Sequence, residues 1–361
     1  GVAPLVAALV HRLPKKAVLV GADAVRLAIA LMLPFVTETW QIYLLVFVLQ
    51  SASATFTPAF QSLIPAVLPQ ARDYTRALAL SRLAYDLEAL LSPTIAAVLL
   101  TVISYNNLFV GTAIGFAGSA VLVLGTLPAL AKNRDDGTFW QRLPTGVLVF
   151  IRTPSLRFLM VTNVVVAAGT AIVLVNSVVY AKGVYALDDA ALAVTLGAYG
   201  IGSLLVAVSV PRLVDRIGVT RTMLIGLSVV VGGLLAANAV TIVAVTTSTG
   251  WWALLGTWLI LGMGTSLINT PSSRLLAEAS NPENRNLVYT AQFALSHACF
   301  LVTYPVAGWI GAASLPVATA TLTLVAILAS ITAFGVRRRA QVRDSYWEES
   351  ARSPSPSPID N

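Results

Sequence analysis

The sequence predicts an all-α polytopic membrane protein built from two related helical halves, and three observations predict it. The first is composition: of 361 residues, 57% are hydrophobic and only 11% charged, against about 25% charged in an ordinary soluble chain. The second is a series of apolar runs of spanning length, which takes about 20 residues. Lipid offers the backbone no water, so such runs must be helices, and the alternating ten-residue segments of a β-barrel are absent. The third is an internal repeat. Thr57–Arg72 reads TPAFQSLIPAVLPQAR and Thr270–Arg285 reads TPSSRLLAEASNPENR. Pro58, Pro69 and Arg72 answer Pro271, Pro282 and Arg285, and each copy runs into an apolar segment broken by a proline, Pro93 or Pro305. Upstream, LVHRLPKK around Arg12 answers LVDRIGVTR around Arg216. The copies stand roughly 205 to 213 residues apart, far longer than a solenoid unit and suited to two halves about a pseudo-two-fold axis.

In chain order the expected spans are 1–10, 17–36, 41–64, 77–103, 107–131, 156–181, 189–211, 222–246, 250–270, 286–312 and 315–336. The connections between them alternate in charge. Arg12, Lys15 and Lys16 are followed by a turn near Glu38 without Lys or Arg. Arg72 and Arg76 are followed by an uncharged turn at 104–107. Lys132, Arg134, Arg142, Arg152 and Arg157 fill the central connection, and Lys182 stands with Asp188 and Asp189 after the next span. Arg212, Arg216 and Arg221, then Arg274 and Arg285, then Arg337, Arg338 and Arg339 continue the basic set. By the positive-inside rule the basic side is cytoplasmic, which places a multi-pass protein in the cytoplasmic membrane with its central loop and C-terminus inside. The expected organisation is an N-terminal helical half at 1–131, a central cytoplasmic loop at 132–155, a C-terminal half at 156–337 and a disordered tail at 338–361. Phe139, Trp140, Leu143, Val147, Phe150 and Ile151 among basic residues predict an interfacial helix in the central loop. The Ser-Pro repeats of 353–358 cannot bury a core. Five spans precede the loop and six follow it, and residue 1 is Gly. Equal halves then imply a truncated N-terminus, with the first helix missing and the second cut short.

Two six-helix halves, a central loop and the turn Asp215-Arg216-x-Gly218-x-x-Arg221 resemble the major facilitator superfamily. The resemblance implies that this turn lies between the second and third helix of a half and clamps the cytoplasmic side. A carboxylate and a guanidinium at helix ends can pair across a sliding interface, and glycine permits the tight turn. In the first half His11 stands where Asp is expected and Pro14 where Gly is, with Arg12 retained. ADAVRL at 22–27, the TP…LIPAVLP run at 57–69 and GVLVFIRTPSLRFL at 146–159 are similar to the branch that includes siderophore exporters and multidrug efflux pumps.

Each polar group inside a span needs a reason, since a central charge costs about 2.5–3.5 kcal/mol on insertion scales. Asp86 and Glu88 are candidates for proton coupling; equally, Arg82 one turn before Asp86 makes them a structural or gating pair. His297, about three turns into its helix, is a third candidate, because histidine changes charge near physiological pH, although a lone histidine also serves as a hydrogen-bonding contact between helices. Asp23 and Arg26 read as a structural pair near the cytoplasmic end. Gln50, Asn163, Asn176, Tyr180, Asn269 and Gln292 are cavity candidates, and amides and hydroxyls are also interhelical glue worth about 1 kcal/mol each. Gly197, Gly200 and Gly202, with Tyr199, predict a close helix approach. The cytoplasmic gating set is Arg12, Asp215, Arg216, Gly218 and Arg221.

No phosphate-binding Gly-x-x-x-x-Gly-Lys-Ser/Thr loop occurs, so ATP-driven transport within the chain is not expected. Two His and one Cys make a metal centre improbable, and no ordered Ser/His/Asp set supports an enzyme. The expected function is secondary active transport by alternating access: proton-coupled efflux of a small amphipathic or lipophilic solute, drug-like or siderophore-like. The alternatives are an importer of a neutral metabolite, or a receptor or enzyme on the same fold. The expected partners are the solute, protons and lipid, with no cofactor, no nucleic acid and a monomeric chain. An anionic metabolite calls for a fixed Arg or Lys at mid-membrane, and none is apparent in the sequence.

Overall fold

The computed structural model describes residues 13–68, 103–126, 147–244, 249–281 and 284–352, with ten single residues between 70 and 99. Among the described residues there is no strand, and nine helices are long and apolar enough to cross a membrane. The expected spans at 1–10 and 77–103 lie outside the described residues or are described only in single positions, as do Arg12, Asp86 and most of the central loop.

The first half contributes α1 (Lys15–Met32), α2 (Thr39–Val67) and α3 (Tyr105–Thr126). Pro14, which lacks an amide hydrogen that a helix start leaves unused anyway, precedes α1. A capping box starts α2: Glu38 accepts from the third amide of the helix and Gln41 reaches back to the Glu38 amide. α1 packs against both α2 and α3, around Val18, Leu19, Ala59, Leu63 and Val123.

The second half is α4 (Pro154–Val178), α5 (Asp189–Ala207), α6 (Val210–Ile217), α7 (Val219–Ala239), α8 (Gly250–Glu278), α9 (Arg285–Pro305) and α10 (Leu315–Arg352). α4 is the central post; it touches α5, α7, α8, α9 and α10 and buries most of its length. Asp188 caps α5 by accepting from the Ala191 amide at 2.9 Å. α4, α7 and α9 each end in a π-turn, at Val179–Val184, Val240–Ala244 and Val306–Ile310. These lengthen the spans past their sequence-based ends without a break. The largest fully buried rings, Tyr180 and Trp258, meet edge to face with centroids 5.6 Å apart.

Three differences from the sequence reading stand out. The run 189–211 is two helices, because the chain turns at Val208–Ser209 and Pro211 opens the short amphipathic α6. Residues 147–152 are helical, and Phe150 is fully buried in the core of the second half rather than lying on a membrane surface. α10 continues as one helix to Arg352, so residues 338–352 are helical where a disordered tail was expected; the Ser-Pro repeats lie outside the described residues.

The bundle has a basic end and a charge-poor end. Trp40, Trp252, Trp309 and Phe35 are all exposed near the charge-poor end, where amphipathic rings anchor a bundle at a membrane interface.

α5 and α8 cross with backbones touching. A Cβ on Gly202 would overlap the Leu259 carbonyl, and one on Gly262 would overlap the Tyr199 carbonyl. The contact is reciprocal, each glycine admitting the other helix's backbone three residues before its partner glycine. The expected close approach is therefore made by Gly202. We expect Gly262→Val to destabilise the purified protein by about 1–3 kcal/mol or more, read as a lower melting temperature in detergent. Gly232→Ala, where a Cβ meets nothing within 4 Å, should leave it unchanged or slightly higher.

Candidate functional site

Several polar side chains of the second half are committed to neighbouring helices. Asn163 of α4 and Gln292 of α9 exchange two amide hydrogen bonds, both 3.0 Å. Asn176 donates to the Ala307 carbonyl at 3.1 Å, and the Tyr180 hydroxyl shares hydrogen bonds with Thr241 at 2.5 Å and Thr319 at 3.5 Å. Asn269 is half-buried on α8, and its carbonyl accepts from Ser272 at 2.6 Å. Each of these side chains had two readings in the sequence, cavity or glue. Asn163, Gln292, Asn176 and Tyr180 sit at helix–helix contacts.

Other contacts of the same kind lie outside the cavity candidates, although Tyr199 was already marked by the glycines around it. Tyr199 of α5 shares hydrogen bonds with Thr170 of α4 at 3.2 Å and Thr265 of α8 at 2.9 Å. The Trp258 indole donates to Ser177 at 2.7 Å, and Asn238 donates to Thr323 at 2.6 Å.

In the first half the buried polar cluster is ionic. Asp23 is 1% exposed and pairs with Arg26, while its second oxygen accepts from Ser119 of α3 at 2.7 Å. The Arg26 guanidinium lies over the rings of Phe56 and Phe116, 4.1 and 4.8 Å from their centroids. The sequence reading placed this pair near the basic end and found no fixed cation at mid-depth. Arg26 instead lies about 17 Å along α1 from Lys15, near the middle of the span. Asp23 neutralises it, so the cluster offers an anion no net charge.

At the basic end the turn of the second half is closed by charge and by backbone shape. Asp215, on α6, faces Arg274 of α8 at 3.6 Å, and Arg274 also holds Glu278 at 2.9 Å. Arg216 and Arg221 are exposed beside it. Gly218 has φ +86° and ψ 160°, a nearly glycine-only conformation that costs a residue with a Cβ about 1–3 kcal/mol; it ends α6 and starts α7. Arg274 entered the sequence reading only as one of the basic residues of its connection.

The two repeats also meet. Ile64 of α2 and Ala277 of α8 are buried against each other, flanked by Leu68 and Ala77. Ile64 lies seven residues beyond Thr57, and Ala277 seven beyond Thr270, so equivalent positions of the two copies touch. Within the second half, the Tyr289 hydroxyl of α9 donates to the Ser273 carbonyl of α8 at 3.0 Å, and its ring packs in the core of that half. Of the remaining candidates, Gln50, Glu88 and His297 are exposed.

The Major Facilitator Superfamily profile matches the sequence twice, over residues 2–237 and 159–359. No curated protein sequence matches it. Among solved structures, the human organic anion transporter MFSD10 (TETRAN) is similar in fold. Its TM-score is 0.76 at 12% identity, over 92% of this chain and 80% of that one. A bacterial homologue of the iron transporter ferroportin, in its outward-facing state, gives 0.73 at 15% identity, over 93% and 86%.

The amide pair yields a double-mutant test. Asn163→Leu and Gln292→Leu should each lower stability by about 1 kcal/mol, because each strands a buried amide. Thermal unfolding of the double variant should show less than the summed loss, since neither amide is then left unpaired.

Proposed function

The chain belongs to the Major Facilitator Superfamily, and from that premise we propose that it is a proton-coupled exporter of a small amphipathic or lipophilic solute. It works as a single chain in the cytoplasmic membrane, with its basic end inside. The observation that carries this reading is the Ile64–Ala277 seam. Equivalent points of the two halves are held together at one end by small apolar contact, with the Asp215–Arg274 pair beside them. Such a contact is cheap to part, and rocking of the halves about it exposes a central path to alternate sides. The basic connections at that end support the reading that it faces the cytoplasm. Coupling is assigned to Asp86, Glu88 or His297, the titratable groups of the spans not known to be held in an ion pair. Both alternatives, import and ligand sensing without flux, differ from this reading in an energised assay.

The protein should be reconstituted in vesicles with an imposed pH gradient, and lumenal pH followed as lipophilic cations, dyes and siderophore-like compounds are added. Solute-dependent proton movement is expected, lost in one of Asp86→Asn, Glu88→Gln or His297→Ala. A solute that crosses down its own gradient without any proton movement would overturn the antiport reading. In a Cys299→Ala background, Ile64→Cys with Ala277→Cys should be joined by a short bifunctional thiol reagent. Joining them should abolish flux, and the single cysteines should be unaffected.

A further inference from the structure

Beside the seam, the basic end brings two cations together, one from each half. Lys15 is the first residue of α1 and Arg285 the first residue of α9. One turn beyond Lys15, Val18 and Leu19 share a core cluster with Ala59 and Leu63 of α2. The next residue of α2, Ile64, is the one that meets Ala277 of α8. Arg285 follows the end of α8 after a short connection, and its helix also packs on α2. Both cations are partly buried, and Arg285 is near enough to oppose the Lys15 charge.

No described carboxylate answers the two charges. Asp215 and Glu278, the acids of this end in the second half, are engaged with Arg274. Among the described residues neither Lys15 nor Arg285 has an ion pair, and the Arg285 Nε is buried without an acceptor. α2, which packs on both helices, carries no charged residue along its length. The helix starts add to the imbalance. Neither first turn contains an acid, and neither N-cap side chain bonds its helix, so each start presents amides of positive partial charge. Like charges taken partly out of water are costly to keep without an anion between them. The arrangement is also one-sided. By the internal repeat Lys15 answers Val219 and Arg285 answers Arg72, and Arg72 is exposed. The equivalent place about the pseudo-axis holds one cation, not two.

We propose that Lys15 and Arg285 together bind a phosphate group between the halves, beside the seam. Arg285 offers a fork of N–H donors that matches two phosphate oxygens, and Lys15 adds a point charge. A phosphate with a free second ionisation carries nearly two charges at neutral pH and answers both cations. A carboxylate or a phosphodiester, with one charge, answers only one. The chemistry is shared by inorganic phosphate and by the headgroup of phosphatidic acid, since Lys15 opens a span and stands at headgroup level. Bound there, the phosphate ties the halves together at the end that Ile64 and Ala277 already close. The site needs neither export nor proton coupling, and its test is made at equilibrium.

The melting temperature of the protein in an uncharged detergent should rise saturably as inorganic phosphate replaces chloride at constant ionic strength. Lys15→Gln and Arg285→Gln should each weaken the apparent affinity by roughly tenfold or more, the value of one hydrogen bond to a charged group. In chloride alone Lys15→Gln should melt no lower than the parent, because it removes a repulsion. Lys15→Glu places the missing anion within the chain: it should melt higher in chloride and gain nothing from phosphate. Arg338→Gln, exposed at the same end, should respond as the parent does. Phosphatidylcholine nanodiscs separate the two sources. If phosphatidic acid stabilises the protein, phosphatidylglycerol does not, and inorganic phosphate then adds nothing, the lipid headgroup fills the site. If inorganic phosphate acts alike with and without phosphatidic acid, the free ion does. A response unchanged in Lys15→Gln and Arg285→Gln, a Lys15→Glu protein that still responds, or no response to either source would overturn the site. A response as expected in a protein that moves no protons in vesicles would overturn the antiport reading and leave the site standing.

Discussion

Everything in this structure follows from the absence of water around the backbone and polar side chains of its spans. Each hydroxyl or amide there must find a partner within the protein or cost several kcal/mol. The second half meets that demand twice over. Its threonines and serines bond the carbonyl one turn back, as Thr195, Thr257 and Thr319 do. Its amides and ring donors reach across to the next helix. Backbone crossings at glycine bring the helices near enough for these short side chains to meet. Among the described residues of the second half, the buried atoms that keep no hydrogen-bond partner include Asn176 Oδ1 and Ser330 Oγ.

The two halves solve the same problem with different chemistry. The second is held by neutral contacts inside and a charge clamp at its basic end. The first carries its charge inside, where Asp23 and Arg26 neutralise each other between α1, α2 and α3. Its end lacks the clamp's residues. Gln61 and Pro65 stand where the second copy has Arg274 and Glu278, and His11 answers Asp215. A clamp on one side only makes the halves unequal partners in any rocking motion, with the stiffer turn belonging to the second.

The helical architecture was legible in the sequence because an apolar run of spanning length has one structural solution in lipid. The positions of its ends were less so, since a π-turn or a kink at Val208–Ser209 leaves hydropathy unchanged. The depth of Arg26 was misjudged by its nearness to a basic connection, although counting residues from Lys15 places it mid-span. Amides resisted reading altogether. Asn163 and Gln50 look alike in sequence, and only the neighbouring helix decides that one is spent on a pair while the other is exposed. The repeat carried more than it first yielded. It marked the Thr-Pro segments as equivalent, but that they touch, and touch at equivalent residues, is a property of how the halves pack.

That self-contact ties the history of one position to another. When a duplicated segment meets its own copy across an axis, every change in one copy alters the surroundings of the other. Here the pair is a large and a small residue, Ile64 against Ala277, both buried. Enlarging either side chain would crowd the other across the seam, although the two lie more than two hundred residues apart.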